Sequence, residues 1–385
     1  RIWVIYLLMN VYFDNAATTA IRKEVIDKMT LIMNEIYGNP SSTHSFGRKA
    51  KAYLENARKS IASILNAEPQ EIIFTSGGTE SDNMIIQRAV LDLNIKTIIS
   101  SPIEHHAVIH AIENLDNISY NNVSLTKDGS VDLEHLKKLL TENDQLKLVS
   151  LMYVNNEIGN ILDLKKVGEL CKKHNAYFHT DAVQGIGHFE IDLTKLSIDF
   201  LSAAAHKFNG PKGVGFSFIR KSSGLNGFIH GGEQERGLRA GTEAIHNIVG
   251  MQLAMELSYK NLKKERAKIL DLKKYFLKKL KEVFPDMITN GLSGSYELST
   301  YTLINVTFPL DEDKSKLIEF HLDLNGIACS KGSACQSGSS LGSHVLNYIH
   351  SDSLKEKPSI RFSFCRDNTK KEVDYVIDVL KKFKG

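Results

Sequence analysis

A chain of 385 residues, 42% hydrophobic and 24% charged, has an ordinary globular composition and is long enough for one large and one smaller domain. Its formal net charge of +3 is too small and too evenly spread to suggest direct nucleic-acid binding. Four cysteines without a CxxC pair outline no disulfide framework, which fits a reducing cytoplasm, and no apolar run is long enough to predict a membrane span.

The first ten residues are apolar but short and lack a small-residue cleavage site, so the natural chain is expected to start at Met9. A strand at 11–13 enters a turn of small residues, and a helix is predicted over 22–36. Tyr37–His44 is a turn cluster, and 47–65 reads as an amphipathic helix. At 71–83 a strand runs through Ser76-Gly77-Gly78-Thr79 directly into a helix, whose first N–H groups suit a phosphate. A strand at 96–101 leads to Glu104-His105-His106, where a flat imidazole could stack on an aromatic ring. His106 and His110 stand four apart, but without an HExxH pattern no metal is assigned. A strand end, a turn and a helix occupy 121–144. A buried strand over 146–154 ends in Asn155-Asn156-Glu157-Ile158-Gly159, polar groups at the edge where open α/β sheets bind ligands.

A helix at 164–174 leads to a strand ending in Asp181, and a second crossover leads to a strand ending at His206-Lys207 before a glycine-rich turn. Alternation of strands and helices from about 71 to 219 predicts an α/β fold with a mainly parallel, mixed sheet. Arg236 and Arg239, in a glycine-rich loop, could meet phosphate or carboxylate. A long helix over 250–284 is the hinge into a smaller α+β unit with a strand at 303–308, a helix at 314–324, a Ser/Gly-rich stretch bearing Cys329 and Cys335, a strand at 359–365 with an inward Arg361, and a final helix at 370–383. The domain division read from this pattern is 1–20 as an N-terminal segment, 21–255 as the large unit and 256–385 as the small one.

An acid and a lysine at the ends of two neighbouring strands suggest the two polar anchors of pyridoxal 5'-phosphate. Lys207 would bond the aldehyde and Asp181 would keep the ring nitrogen protonated. Desolvation at a strand end favours the neutral, nucleophilic amine.

The motifs at 12–19, 74–83, 154–159, 181–184, 206–213, 239–242, 332–335 and 359–363, in this order, resemble those of the cysteine desulfurases, pyridoxal-phosphate enzymes of the aminotransferase class-V, fold type I group. The resemblance runs from about Val11 to the C-terminus. It implies that Lys207 carries the cofactor and acts as base, that Asp181 holds the ring nitrogen and Gln184 the phenolic oxygen, and that His105 stacks on the ring and shuttles a proton. It implies that Gly78, Thr79 and His206 form the phosphate site, with Thr242 lent by a neighbouring subunit of a homodimer. Asn156 and Arg361 would hold the substrate carboxylate, and Cys335 would be the nucleophile that takes sulfur from L-cysteine and hands it to an acceptor protein of iron–sulfur assembly or tRNA thiolation. No metal site is implied.

Ala204 departs from the pattern, since a phosphate-binding serine is usual there. Weaker cofactor retention is expected, with Ser76 or backbone N–H groups as possible substitutes. Glu233 stands where a small residue is usual. Cys329 reads as a bystander, and Cys171 and Cys365 as buried and inert. A selenocysteine lyase, a cysteine sulfinate desulfinase, an aminotransferase and a non-catalytic assembly scaffold remain as alternatives, and Lys207 together with Cys335 argues against the last.

Overall fold

The computed structural model describes residues 9–332 and 342–385. The chain begins with β1 (Val11–Tyr12), α1 (Lys23–Glu35) and α2 (Ser45–Leu65). Then strands and helices alternate as β2 (Ile72–Thr75), α3 (Gly78–Asp92), β3 (Thr97–Ser100), α4 (His106–Glu113), β4 (Ser119–Asn122), α5 (Leu133–Thr141), β5 (Lys147–Ser150), α6 (Leu164–Lys173), β6 (Tyr177–Asp181), β7 (Phe200–Ala204) and β8 (Gly215–Ile219). Seven strands form one sheet in the order β2-β8-β7-β6-β5-β3-β4. Neighbours from β7 through β4 are parallel, and β8 runs antiparallel to both β2 and β7. The segment joining β7 to β8 has no room for a helical crossover, so the chain turns straight back. Both faces of the sheet are covered, which is why its strands read as near-continuous apolar runs.

The expected strand at 146–154 keeps a regular ladder only to Ser150. Leu151 and Tyr153 still donate backbone N–H groups to the His179 and Asp181 carbonyls, at 3.1 and 2.9 Å. The apolar run therefore continues alongside β6 and delivers the 155–159 turn at the sheet's C-terminal edge.

Helix α7 (Ile245–Val283) is 39 residues long. Its first turns bury Ile245, Val249 and Met255 in the cluster under the large sheet, and its later turns bury Leu272, Phe276 and Leu280 in a second cluster. That second cluster also draws side chains from β10 (Leu303–Thr307), α8 (Glu312–Leu324) and β11 (Ile327–Ala328), while β9 (Ile288–Thr289) lies at its sheet's edge. The cluster draws side chains from β12 (Ser359–Ser363) and α11 (Lys370–Lys384) as well, whereas α9 (His344–Ile349) packs Val345 and Leu346 into a separate small cluster and α10 (Asp352–Lys355) buries no residue. Strands β12, β10 and β9 pair antiparallel, while β1 pairs parallel with β11. Val11 and Phe13 thus bury in the second cluster, tying the N-terminal segment to the C-terminal unit. Among the described residues, no helix is long and apolar enough to cross a membrane.

The loop at 233–237 is held by a buried ion pair. Glu235 and Arg236 adopt φ of 47° and 58°, a conformation that disfavours side chains. Arg58 grips the Glu235 carboxylate with both terminal nitrogens at 2.7 Å, and the same carboxylate accepts the Phe74 N–H at 2.8 Å. Replacing Arg58 by Met leaves a buried charge without its cation, so a loss of about 3–5 kcal/mol is expected in chemical unfolding. The double change Arg58→Met with Glu235→Met should lose much less; equal losses would mean that the pair itself contributes little.

Candidate active site

The C-terminal ends of β6 and β7 and the first turn of α3 surround a cavity of about 250 Å³. Strand β6 ends in Asp181, which is 6% exposed and accepts the Val183 N–H at 2.9 Å. Burial, then the charge of Asp82, pushes its carboxyl up to about 7. A buried acid in this state favours a cationic partner.

Strand β7 ends at Ala204, and one tight turn over Ala205–Lys207 brings the lysine to the cavity wall. Lys207 Nζ donates to the Ala16 and Ala17 carbonyls, both at 2.8 Å. Gln184 Nε2 donates to the same Ala16 carbonyl at 2.9 Å, so the small-residue turn after β1 closes this side.

Gly78 and Thr79 line the cavity at the start of α3. A Cβ on Gly78 would come within 2.7 Å of Val183 Cγ2, so glycine lets the helix N-terminus sit against the strand end that carries Asp181. His105 caps α4 by accepting the Ala107 N–H on Nδ1 at 3.1 Å, leaving the proton on Nε2. Burial first, and the Lys207 charge second, push His105 down to about 4. His206 is pushed down to about 4 for the same two reasons, and its Nδ1 lies 3.2 Å from Thr18 Oγ1. Both imidazoles are therefore neutral at physiological pH.

The Asn155 side-chain oxygen Oδ1 accepts the N–H groups of Glu157 and Ile158 at 2.9 and 3.0 Å, a local turn that presents Asn156 to the cavity. Arg361, 1% exposed on β12, lines the opposite wall. It donates to the Asn156 carbonyl at 2.7 Å and to Asp14 at 2.9 Å.

Gly78, Thr79, His105, Asn156, Asp181, Gln184, His206, Lys207 and Arg361 thus line one cavity. Thr242 does not: it is exposed and lies outside the cavity lining. Ser76, offered as a substitute for the missing serine, is also exposed and outside it, and Ala204 presents only a methyl there. Arg239 and Arg236 answer carboxylates of their own chain: Arg239 Nε meets Glu80 at 2.8 Å and Arg236 lies 3.9 Å from Glu55. Cys171 is buried, whereas Cys365 and Cys329 are partly exposed. Cys335 lies outside the described residues.

Sequence reasoning missed the layer beneath Asp181. Asp82, one turn into α3, lines the cavity and is 1% exposed. His179 is held between Ser150 Oγ at 2.8 Å and Ser202 Oγ at 3.1 Å. A signal existed: His179 stands two residues before Asp181, on the same face of β6.

The aminotransferase class-V family profile matches residues 11–376. Cysteine desulfurase IscS of Dictyoglomus turgidum is 42% identical over 376 residues, 97% of this chain and 94% of that protein. The chain belongs to the cysteine desulfurase family. A solved NifS-like protein superposes with a TM-score of 0.88 at 36% identity, covering 97% of this chain and 99% of its own. A structure of SspA in complex with cysteine gives a TM-score of 0.79 at 29% identity over 93% of this chain and all of that one. The mixed, mostly parallel sheet flanked by helices is the architecture of these desulfurases.

Proposed function

We propose that this chain converts L-cysteine to L-alanine and receives the sulfur as a persulfide on Cys335, with pyridoxal 5'-phosphate held in the 250 Å³ cavity. The observation that carries the reading is the convergence on one cavity of an amine at a strand end, a buried acid needing a cation, a neutral imidazole and an unobstructed helix N-terminus. That donor set fits the cofactor: Lys207 would bond its aldehyde, Asp181 its ring nitrogen, Gln184 its phenolic oxygen, and Gly78, Thr79 and His206 its phosphate. When bound, the cofactor supplies an electron sink for the substrate Cα.

The protein's residues do the rest. Arg361 and Asn156 fix the substrate carboxylate. Lys207 would take the Cα proton, and His105 would handle the proton at the departing sulfur. The Cys335 thiolate attacks that sulfur, so cysteine and a thiol become alanine and a persulfide with no external oxidant. The persulfide then passes to an acceptor protein of iron–sulfur assembly or tRNA thiolation. Thr242, exposed here, reaches a phosphate only in a homodimer that places it over the neighbouring subunit's cavity. A cytoplasmic setting fits the thiol chemistry.

Purified protein should show a cofactor absorption band and, with L-cysteine and a reductant, form alanine and sulfide in equal amounts. A band without alanine would sink the proposal. Arg361→Met should raise KM for cysteine about 100-fold, the loss of two charge-assisted hydrogen bonds, while the band is kept. An unchanged KM would remove Arg361 from the carboxylate site.

A further inference from the structure

Two carboxyls face this cavity. Asp181 arrives from β6 and Asp82 from α3, and both are buried. Asp82 Oδ1 has no hydrogen-bond partner and lies 3.5 Å from His179 Nε2. That ring is itself committed to the Ser150 and Ser202 hydroxyls. Burial pushes His179 down to about 4, so it brings no positive charge to Asp82. The Ser202 hydroxyl also hydrogen-bonds the Asp82 carboxyl, which opposes the upward push of burial without outweighing it. Glu104, ahead of α4, is a third buried acid, pushed well above the usual carboxylate range. Lys207 faces Asp181 from the turn after β7, while His105 and His206 are neutral. Arg361 is engaged by Asp14 and the Asn156 carbonyl. Two buried carboxyls whose charges act on one another cannot both ionise cheaply, and they titrate as a unit.

We propose that Asp82 is a positioning residue for the cofactor: in the cofactor-free chain it shares one proton with Asp181, and a cationic ring nitrogen docking on Asp181 expels that proton to solvent, so that Asp82 ends as a second carboxylate stabilising the ring charge. This rests on the reading of the cavity as a pyridoxal-phosphate site. In the cofactor-free chain burial holds both carboxyls near 7, Asp181 even with Lys207 beside it. The bound ring lowers that titration. The affinity contributed by Asp82 is therefore present above about pH 7 and lost as the pH falls through the lowered value.

The test is the dissociation constant of pyridoxal phosphate for the full chain stripped of cofactor, from pH 5.5 to 8, for wild type and Asp82→Asn. Titrations of the phosphate and ring are common to both proteins and cancel in the ratio. The wild-type advantage should grow at least about ten-fold from pH 5.5 to 8, the tenfold-per-unit linkage of a shifted pKa. A ratio independent of pH, as a purely structural role for Asp82 would give, overturns the proposal. Wild type that binds no pyridoxal phosphate at any pH overturns the cofactor reading as well. Asp82→Ser replaces Asp82→Asn if circular dichroism shows the latter unfolded. If neither folds, calorimetry of wild type with pyridoxine phosphate, which cannot condense with Lys207, decides the point. Near pH 7 it must show protein-derived proton release that fades by pH 8, and none there overturns the proposal.

Discussion

Lys207→Ala should bind pyridoxal phosphate only as an exchangeable ligand and should lose turnover by at least about 10⁴-fold, since one residue supplies both the covalent anchor and the proton acceptor. The structure shows why no neighbour can take over. The turn Ala205–Lys207 puts the amine against the Ala16 and Ala17 carbonyls, at the wall shared with Asp181. His105 and His206 flank it, but burial and the lysine's own charge keep them neutral and weakly basic. Gel filtration of the variant should strip its absorbance, whereas the wild type retains it. Removing Lys207 also removes a cation beside Asp181, His105 and His206. Both histidines should then titrate at higher pH, measurable by NMR. A small exogenous amine should restore part of the proton transfer. Turnover within ten-fold of wild type would show that Lys207 is not the reacting amine.

Much of this site was legible because strands deliver their last residues to one edge. Asp181 and Lys207 follow β6 and β7, adjacent parallel strands, so an acid and an amine at two strand ends had to meet. Gly78 was legible as a helix start, and its reason became clear only against Val183. The partners of side chains that reach across elements were less accessible. Arg239 lies in a phosphate-like setting of glycines, yet Glu80 on α3 claims it, a pairing between residues 159 apart. Asp82 looked like one more polar residue in a helix. Its role depends on which face of α3 packs on β6 and β7, and the weakly amphipathic α3 sequence does not reveal that face. The 146–154 run shows where strand β5 is apolar but not where its ladder ends, because burial continues after the regular pairing stops. The place of Thr242 requires a second copy of the chain, which no local pattern specifies.

Cys335→Ala should keep the cofactor band and substrate binding while sulfide release from cysteine falls at least about 100-fold, the lower end for loss of a catalytic group. The chain on either side of 333–341 is held against the cavity's neighbours. On one side, Ser330 exchanges backbone hydrogen bonds with Arg361, a residue of the cavity wall, at 3.2 and 2.7 Å. On the other, Ser343 donates to Glu157, next to Asn156, and His344 Nε2 meets the Glu104 carbonyl at 2.9 Å, next to His105. Both ends of the segment are therefore fixed to residues adjoining the cavity wall. Cys335 is three residues beyond Gly332, a reach of up to about 10 Å. Cys329 is the internal control: burial pushes its thiol up, away from the thiolate that attack requires, so Cys329→Ala should leave sulfide release unchanged. Cys335→Ala enzyme that forms sulfide at the wild-type rate would sink the persulfide step while leaving the cofactor site intact. Loss of activity in the Cys329 variant instead would move the nucleophile six residues upstream, to the other side of the Ser330–Arg361 pairing.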